Sequence, residues 1–272
     1  MSQKLGQHFL KSKEKLRKIA ESLDLQDNDT VIEIGPGHGE LTKELRIKNS
    51  ECRIVCIEKD KDLIEILKDK LSNDKNIKVV EGDALEKLPL LIKSPKLKIK
   101  NYKIVGNIPY YITGYLFRIL SELENRPSVS VFTIQKEVAE RICAHSSKMN
   151  PTHRKYSMCG MNLLAASVQF WAEPKIVGYV PKKYFRPVPK VDSAILELRI
   201  KNYELRIKDN YYKLIKIIFK QPRKTVLNNL TSGFTGLKKE EIIEKLLKVG
   251  VLPGFRPQNL KIEQLIELST LF

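Results

Sequence analysis

Over residues 1–200, short apolar runs alternate with segments in which apolar residues have helical spacing. Short apolar runs typical of buried strands cover residues 31–34, 53–57, 77–80, 102–105 and 129–134, and segments with helical spacing separate them. Strands that alternate with helices in this way favour a parallel sheet covered by helices on both faces. Residues 175–180 and 193–200 are two further strand candidates. We therefore predict an α/β fold for this part of the chain.

The pattern changes near residue 201, after which only helical spacing is found. Helices are predicted over residues 211–219, 225–230, 239–249 and 262–271, with Gly and Pro between them. We predict two domains, residues 1–200 and a small helical domain over residues 201–272. The second domain begins with basic residues, among them Lys220, Arg223 and Lys224, which can follow a phosphate backbone.

A glycine-rich turn, Gly35-Pro36-Gly37-His38-Gly39, joins the first long strand to a helix that starts at Glu40. Glycine has no Cβ, so Gly35 and Gly37 can adopt left-handed backbone and let a ligand approach the main chain. The spacing departs from the dinucleotide fingerprint Gly-x-Gly-x-x-Gly, and no lysine follows as in a phosphate-binding loop. The turn therefore favours a nucleoside ligand with no phosphate.

Three of the following strands each end at one polar residue. These residues are Glu58, Asp83 and Asn107. The carboxyl ends of parallel strands meet at one edge of a sheet, so we expect the three side chains to converge on a crevice there. Glu58 suits a ribose diol, Asp83 suits an adenine amino group, and the glycine turn suits an amino acid tail. Together these features describe S-adenosylmethionine.

The sequence Asn107-Ile108-Pro109-Tyr110 suits chemistry on an aromatic amine such as adenine N6. This amine is a poor nucleophile because its lone pair is delocalised into the ring. The amide oxygen of Asn107 and the carbonyl oxygen of Ile108 can accept hydrogen bonds from the amino hydrogens and steer the lone pair toward a methyl group. Tyr110 can stack on the base.

Phe185 precedes two closely spaced prolines, Pro187 and Pro189. Proline lacks an N–H group, so we expect an extended loop that does not join a sheet ladder. On such a loop the ring of Phe185 is expected to be presented and to close the other side of the base. A role as a core anchor stays open.

Composition indicates the kind of partner and the cellular compartment. The 49 Lys and Arg against 32 Asp and Glu give a net charge of +17, which favours a polyanionic partner, although a solvated lysine-rich surface is the alternative. The four cysteines show no Cys-x-x-Cys pairing and are expected as buried thiols, and the four histidines form no metal-ligand spacing. No export segment or long apolar run is present, so we expect a cytoplasmic protein with no metal and no membrane span.

Seven motifs occur in an order that resembles the ribosomal RNA adenine dimethyltransferase family. They are Gln7-His8-Phe9-Leu10 and residues 33–39, 57–60, 82–84, 107–110, 135–141 and 185–193. The chain most resembles the bacterial branch that dimethylates N6 of two adjacent adenosines near the 3′ end of 16S (small-subunit) rRNA. The resemblance implies a seven-stranded, Rossmann-like class I S-adenosylmethionine-dependent methyltransferase sheet with a small all-helical C-terminal domain.

The resemblance also implies roles for individual residues and for the partner. The donor contacts are His8, Leu10, Gly35, Glu58, Asp83 and Asn107, with Gly37 in the same turn, while Tyr110 and Phe185 flank the target adenine. The implied partner is small-subunit rRNA within an immature 30S particle, bound by a monomer with a role in 30S subunit biogenesis.

Two other functions stay open at this stage. One is a macrolide-resistance 23S rRNA adenine-N6 methyltransferase, which shares the motifs. Residues 223–225 and 256–260 instead resemble the small-subunit branch. The other is a non-catalytic ribosome-assembly factor on the same fold. Intact Asp83, Asn107 and Tyr110 argue against that function.

Overall fold

The computed structural model of the protein describes residues 6–94, 101–144, 160–201 and 207–272. Two compact units emerge from the contacts, Met1–Ala139 with Pro174–Ile200, and Glu140–Glu173 with Lys201–Phe272. Residues 140–144 and 160–173, which we expected in the first domain, group with the second unit. His145, His153, Cys159 and lysines 96, 98 and 100 lie outside the described residues.

The strands agree closely with the apolar runs of the sequence. In chain order they are β1 (Phe9–Leu10), β2 (Thr30–Ile34), β3 (Arg53–Glu58), β4 (Ile77–Glu81), β5 (Tyr102–Asn107), β6 (Val129–Gln135), β7 (Ala172–Val180), β8 (Phe185–Arg186) and β9 (Ser193–Ile200). β1 and β8 form a small antiparallel ladder, and the other seven form one sheet in the order β4-β3-β2-β5-β6-β9-β7. The strands from β4 to β6 run parallel, as predicted, whereas β9 pairs antiparallel with β6.

Helices connect the parallel strands and make up most of the second unit. They are α1 (Lys13–Ser22), α2 (Glu40–Lys48), α3 (Lys61–Leu71), α4 (Ala84–Lys93), α5 (Thr113–Glu122), α6 (Lys136–Ile142), α7 (Leu163–Gln169), α8 (Lys208–Ile218), α9 (Val226–Gly233), α10 (Lys239–Lys248) and α11 (Ile262–Leu271). Several begin at a polar cap: Ser12, Asp60 and Asp83 each accept a hydrogen bond from a main-chain N–H in the first turn. No described helix has the length and apolar character that a membrane crossing requires.

The core of the first unit lies on both faces of the sheet. Neighbouring residues on a strand point to opposite faces, and Val31 and Ile32 of β2 are both completely buried. Helix α1 covers one face through Leu16, Ile19 and Ala20, and the following Leu23 is buried too, as predicted from their spacing. Layers on both faces leave only the ends of the strands free to meet a ligand.

The second unit is built on aromatic and aliphatic contacts between helices. The ring of Tyr211 in α8 stacks on that of Phe170, with centroids 4.1 Å apart, and its hydroxyl donates to the carbonyl oxygen of Ala166 in α7. Helix α11 packs against α7, α8 and α10. The prediction that residues after 201 form only helices is confirmed for residues 207–272.

Candidate active site

A pocket in the first unit opens at the carboxyl ends of the parallel strands. Its empty volume is about 820 Å³, which includes space open to solvent. Eight of the nine residues predicted for the donor and the target base line it: His8, Gly35, Gly37, Glu58, Asp83, Asn107, Tyr110 and Phe185. The predicted convergence of the strand ends is therefore observed.

The glycine turn forms one wall of this pocket. Gly35 and Gly37 have φ angles of 64° and 61°, in the left-handed region that side chains rarely adopt. A Cβ on Gly37 would lie 2.8 Å from the ring of Phe9, whereas a Cβ on Gly35 would meet no protein atom within 4 Å. Phe9 thus fills the space beside Gly37, whereas the space beside Gly35 is open to a ligand.

The Glu58 carboxylate is held by main-chain donors at the end of β3. One oxygen accepts from the N–H groups of Lys59 (2.9 Å) and Asp60 (3.0 Å), and the other accepts from Gly37 (3.1 Å). Burial raises the pKa of Glu58, and these three donors partly oppose that effect. A carboxylate offers about four acceptor positions, so Glu58 retains capacity for a hydroxyl donor in the pocket.

Asp83 has two partners at the start of α4. Its Oδ1 accepts from the N–H of Leu85 (2.9 Å) as a helix cap, and its Oδ2 pairs with the ammonium of Lys59 (2.9 Å). Burial alone would raise the pKa of Asp83, but the hydrogen bond and charge of Lys59, with the Leu85 N–H, outweigh it and lower the pKa. Asp83 is therefore an ionised acceptor at neutral pH.

The amide of Asn107 is oriented by the N-terminal segment. Its Nδ2 donates to the carbonyl oxygen of His8 at 2.6 Å, which leaves Oδ1 as the acceptor side of the amide. His8 is itself fixed, because its Nδ1 lies 2.8 Å from the carbonyl oxygen of Pro187, which can only accept. The first and last motifs of the sequence thus contact each other at His8, which in turn holds Asn107.

Tyr110 lies half-buried beside Asn107 in a short 3₁₀ turn, Tyr110–Ile112. Its hydroxyl is 3.0 Å from Oγ of Ser193, and its ring centroid is 6.0 Å from that of His8. Burial raises the pKa of Tyr110, more than the hydrogen bond to Ser193 lowers it. The side chain is therefore a neutral, fixed ring, suited to stacking and not to proton removal.

Phe185 differs from the expectation of a presented ring on a loop outside any ladder. It pairs with Leu10 in the β1 and β8 ladder and is only 1% exposed. Only the residues after it carry the prolines, so its own N–H remains available for pairing. Phe185 is the core anchor that the sequence left open, and it still lines the pocket.

Leu10 is the one predicted donor contact that does not line the pocket. It is 4% exposed and belongs to the same apolar cluster as Phe185. Its neighbour Phe9 lines the pocket instead and meets the ring of His38 edge-on, with centroids 4.6 Å apart. Leu10 lines a smaller second pocket instead, which shares Phe9, Gly35 and Asn107 with the first.

Among the other residues that line the pocket, Phe9, Lys59 and Tyr111 were given no role from the sequence. Phe9 belongs to the apolar motif at the N-terminus, and Tyr111 follows the predicted Tyr110, so both carried a local signal. Lys59 lies in the motif of residues 57–60, but its pairing with Asp83 joins the ends of two different strands and has no local signal. Within the described ranges, no three His, Cys, Asp or Glu side chains are grouped so as to hold a metal ion.

The predicted RNA-binding residues lie in the second unit. Lys220, Arg223 and Lys224 are exposed and occupy the connection between α8 and α9. Thr225 then caps α9 by accepting from the N–H of Asn228 at 3.2 Å. The three cations therefore lie on an exposed turn that is tied to the start of a helix.

The sheet order, the helices on both faces and the pocket at the strand ends define a class I S-adenosylmethionine-dependent methyltransferase fold. Two solved structures share it over nearly their whole length: the 23S rRNA methyltransferase ErmE and a dimethyladenosine transferase from Plasmodium falciparum. Each has a TM-score of 0.73 and 26% identity, and covers 96% of this chain, which spans 98% and 96% of theirs. The chain belongs to the ribosomal RNA adenine dimethylase family, whose model matches residues 1–272.

Curated relatives agree with this assignment. A protein of Mycoplasma capricolum named Ribosomal RNA small subunit methyltransferase A is 36% identical over 269 residues, which cover 98% of this chain and 95% of the relative. A protein of the same name from Fusobacterium nucleatum is 34% identical over 276 residues, covering 99% and 96%. The similarity thus extends over both units.

Proposed function

We propose that the protein uses S-adenosylmethionine to dimethylate N6 of adenosines in 16S (small-subunit) rRNA, at two adjacent positions near its 3′ end. The observation that carries this proposal is the Asn107 amide, held by His8 with its oxygen as acceptor in the same pocket as Glu58 and Asp83. Such an amide can orient an aromatic amine. Family membership and the names of the relatives support the choice of RNA.

The residues of the pocket fit S-adenosylmethionine. Glu58 has spare acceptor capacity for one ribose hydroxyl, and Asp83 is an ionised acceptor for the adenine amino group. The open position at Gly35 gives room for the amino acid tail against the main chain. When bound, this donor supplies a methyl group attached to a positively charged sulfur. The sulfur keeps the electron pair of the bond that breaks.

The protein's own part is to position the target amine. Asn107 Oδ1 and the Ile108 carbonyl oxygen accept hydrogen bonds from the N6 hydrogens, which turns the nitrogen lone pair toward the methyl group. Tyr110 stacks on the base, and the buried ring of Phe185 closes the pocket wall. The methylated amine then loses its proton to water, so no side chain is assigned as a base. Exchange of the spent donor for a second S-adenosylmethionine, followed by a second methyl transfer to the same nitrogen, gives the dimethyl product.

The RNA is held outside the pocket by phosphate contacts. Lys220, Arg223 and Lys224 are exposed cations suited to that task, and the net charge of +17 supports it. Lys224→Ala should flatten the salt dependence of RNA binding by roughly one phosphate contact. Lys248→Ala, an exposed lysine of α10 paired with Glu244, is the matched control and should leave the slope unchanged. An unchanged slope in Lys224→Ala would remove that residue from the interface.

We further propose that the protein acts in the cytoplasm as a monomer on immature 30S particles and contributes to their maturation. The test uses radiolabelled S-adenosylmethionine with unmethylated small subunits and, separately, large subunits, followed by mapping of the modified bases. Label in two adjacent adenosines of small-subunit rRNA is expected. Label only in large-subunit RNA would instead indicate a 23S rRNA methyltransferase, and no label anywhere would favour an assembly factor.

A further inference from the structure

Exposed aromatic rings are few in the part of the chain that the structure describes. Three aromatic side chains there are exposed: Tyr111 (59%), Tyr115 (65%) and Tyr179 (36%). Two of the three fall within five consecutive residues, Tyr111 and Tyr115. An exposed ring gives up the burial that usually stabilises it, so two such rings four residues apart point to a partner.

Tyr111 and Tyr115 lie on one continuous helical segment, and both side chains are exposed. The 3₁₀ turn Tyr110–Ile112, which contains Tyr111, leads directly into α5, which contains Tyr115. The segment is anchored in the core through Ile112 and Leu116, which are 9% and 0% exposed. The two rings are therefore carried on a rigid element while remaining open to solvent.

This pair of rings begins at the pocket. Tyr111 lines the pocket next to Tyr110, and Tyr115 lies one turn further from it. The main chain approaches the ring of Tyr111 at Gly6, where a Cβ would lie 3.8 Å from two ring carbons. The surface thus runs outward from the place proposed for the target adenine.

Lys59 and Arg118 are each paired with a carboxylate, so the rings themselves and the chain's net charge of +17 are what favour a polyanion with flat, apolar groups. The ammonium of Lys59 lies at the same pocket, where it pairs with Asp83. Arg118, one turn beyond Tyr115, is exposed and pairs with Glu122. Unpaired nucleotides combine phosphate charge with aromatic bases, and a base stacks on tyrosine whatever its identity.

We propose that Tyr111 and Tyr115 form a stacking platform for the unpaired nucleotides that flank the target adenosine. This tyrosine platform rests on the proposed function, because the adenosine in the pocket determines where its neighbours lie. Tyr111 takes the adjacent base and Tyr115 takes the next one. The platform keeps the strand unpaired and so presents the target base to Asn107.

The test measures binding of a single-stranded RNA oligonucleotide that carries fluorescent 2-aminopurine two positions from an adenosine, at the base assigned to Tyr115. Tyr115→Ala and Tyr115→Leu should weaken binding by roughly 5-fold to 100-fold and remove the quenching of the flanking base, because stacking is lost. Tyr115→Trp should bind as the unmodified protein does. Tyr179→Ala, on β7 and outside the pocket lining, is the aromatic control and should leave both RNA binding and quenching unchanged.

Two parallel measurements exclude a general defect. Tyr115 is 65% exposed and outside the pocket lining, so its variants should keep the melting temperature and the calorimetric affinity for S-adenosylhomocysteine. The platform is overturned if Tyr115→Leu binds the oligonucleotide as tightly as the unmodified protein, if Tyr179→Ala weakens binding equally, or if fully paired RNA binds as well as single-stranded RNA. The last two results would point to non-specific attraction.

The outcome separates the platform from the proposed function. Oligonucleotide binding needs no turnover, so quenching that depends on Tyr115 supports the platform even if methyl transfer goes to another RNA. Methyl transfer to small subunits that is undiminished in Tyr111→Leu and Tyr115→Leu would retain the proposed function and remove the platform.

Discussion

Strand β5 carries a polar side chain near each end, and the two have different surroundings. At the start, Lys103 is 6% exposed, pairs with Asp29 at 2.7 Å and also donates to the carbonyl oxygen of Asp24. At the end, Asn107 donates from Nδ2 to His8 and keeps Oδ1 as an acceptor in the pocket. The side chain at the first end is paired within the protein, and the one at the second end keeps an acceptor for a ligand.

This difference separates scaffold from site within a single strand. A buried charge is tolerated only when partners replace the water it has lost, so Lys103 and Asp29 stabilise the fold only as a pair. A side chain that acts on a ligand must instead keep part of its hydrogen-bonding capacity. Substitutions at the two ends should therefore affect different properties, stability at one end and turnover at the other.

The largest effect is expected at the start of β5, at the paired Lys103. Lys103→Met removes one partner of a buried pair and should lower the free energy of unfolding by ~3–5 kcal/mol, because Asp29 loses its counter-charge. Urea unfolding followed by far-ultraviolet circular dichroism measures the loss. Arg118→Ala breaks an exposed pair with Glu122 and should cost less than about 1 kcal/mol. Equal effects of the two substitutions would contradict the assignment of Lys103 to the scaffold.

The other end of β5 should respond in rate and not in stability. Asn107→Ala should reduce methyl transfer by ~10²–10³, the usual consequence of losing one preorganised polar contact. RNA binding should persist, because the proposed phosphate contacts lie in the second unit. Single-turnover assays with unmethylated small subunits provide the rate, and filter binding provides the affinity. Full turnover in Asn107→Ala would sink the role given to this amide.

A carboxyl group in β2 gives a test that depends on pH. Glu33 is 1% exposed, and burial raises its pKa to about 7, although hydrogen bonds from Thr42 and Cys56 oppose the shift. Because the pKa of Glu33 is higher in the folded state, binding of a proton to Glu33 stabilises the fold. This stabilisation is complete below pH ~4.5 and is lost as the pH rises through 7. For a shift of this size the loss is ~3 kcal/mol.

Glu33→Gln mimics the protonated carboxyl at every pH. The variant should therefore be more stable than the unmodified protein at pH 8, by up to ~3 kcal/mol, and similar to it at pH 4.5. Urea unfolding at both pH values, without donor, measures the difference. Glu122→Gln, an exposed carboxylate, is the control and should show no such divergence. Parallel pH profiles for Glu33→Gln and the unmodified protein would argue against a protonated Glu33.

The smallest effect compares two positions in the glycine turn. Gly35→Ala and Gly37→Ala both place a side chain at positive φ, which costs ~1–2 kcal/mol. Gly37→Ala adds a collision with Phe9 and should lower the melting temperature further, whereas Gly35→Ala should mainly weaken binding of S-adenosylhomocysteine. Thermal melting and calorimetry separate the two. If both variants lost stability and affinity alike, Gly35 would not be the open side of the turn.

Local pattern was enough for most elements of the fold. The five parallel strands and α1 lie where the apolar spacing predicted them, since burial of one face imposes a period that is visible within a few residues. The same reasoning placed Glu58, Asp83 and Asn107 at one edge, because parallel strands bring their carboxyl ends together. These features needed no knowledge of contacts between distant segments.

The sequence by itself therefore determined the strands, the glycine turn and the acceptors at the strand ends. Only the tertiary structure decided that β1 pairs with β8, that Phe185 is buried, that Lys59 pairs with Asp83 and that His8 orients Asn107. Each of these depends on a contact between residues far apart in the chain. Periodicity is a local property. It carries no information on which distant residue completes a hydrogen bond or packs into the wall of the pocket.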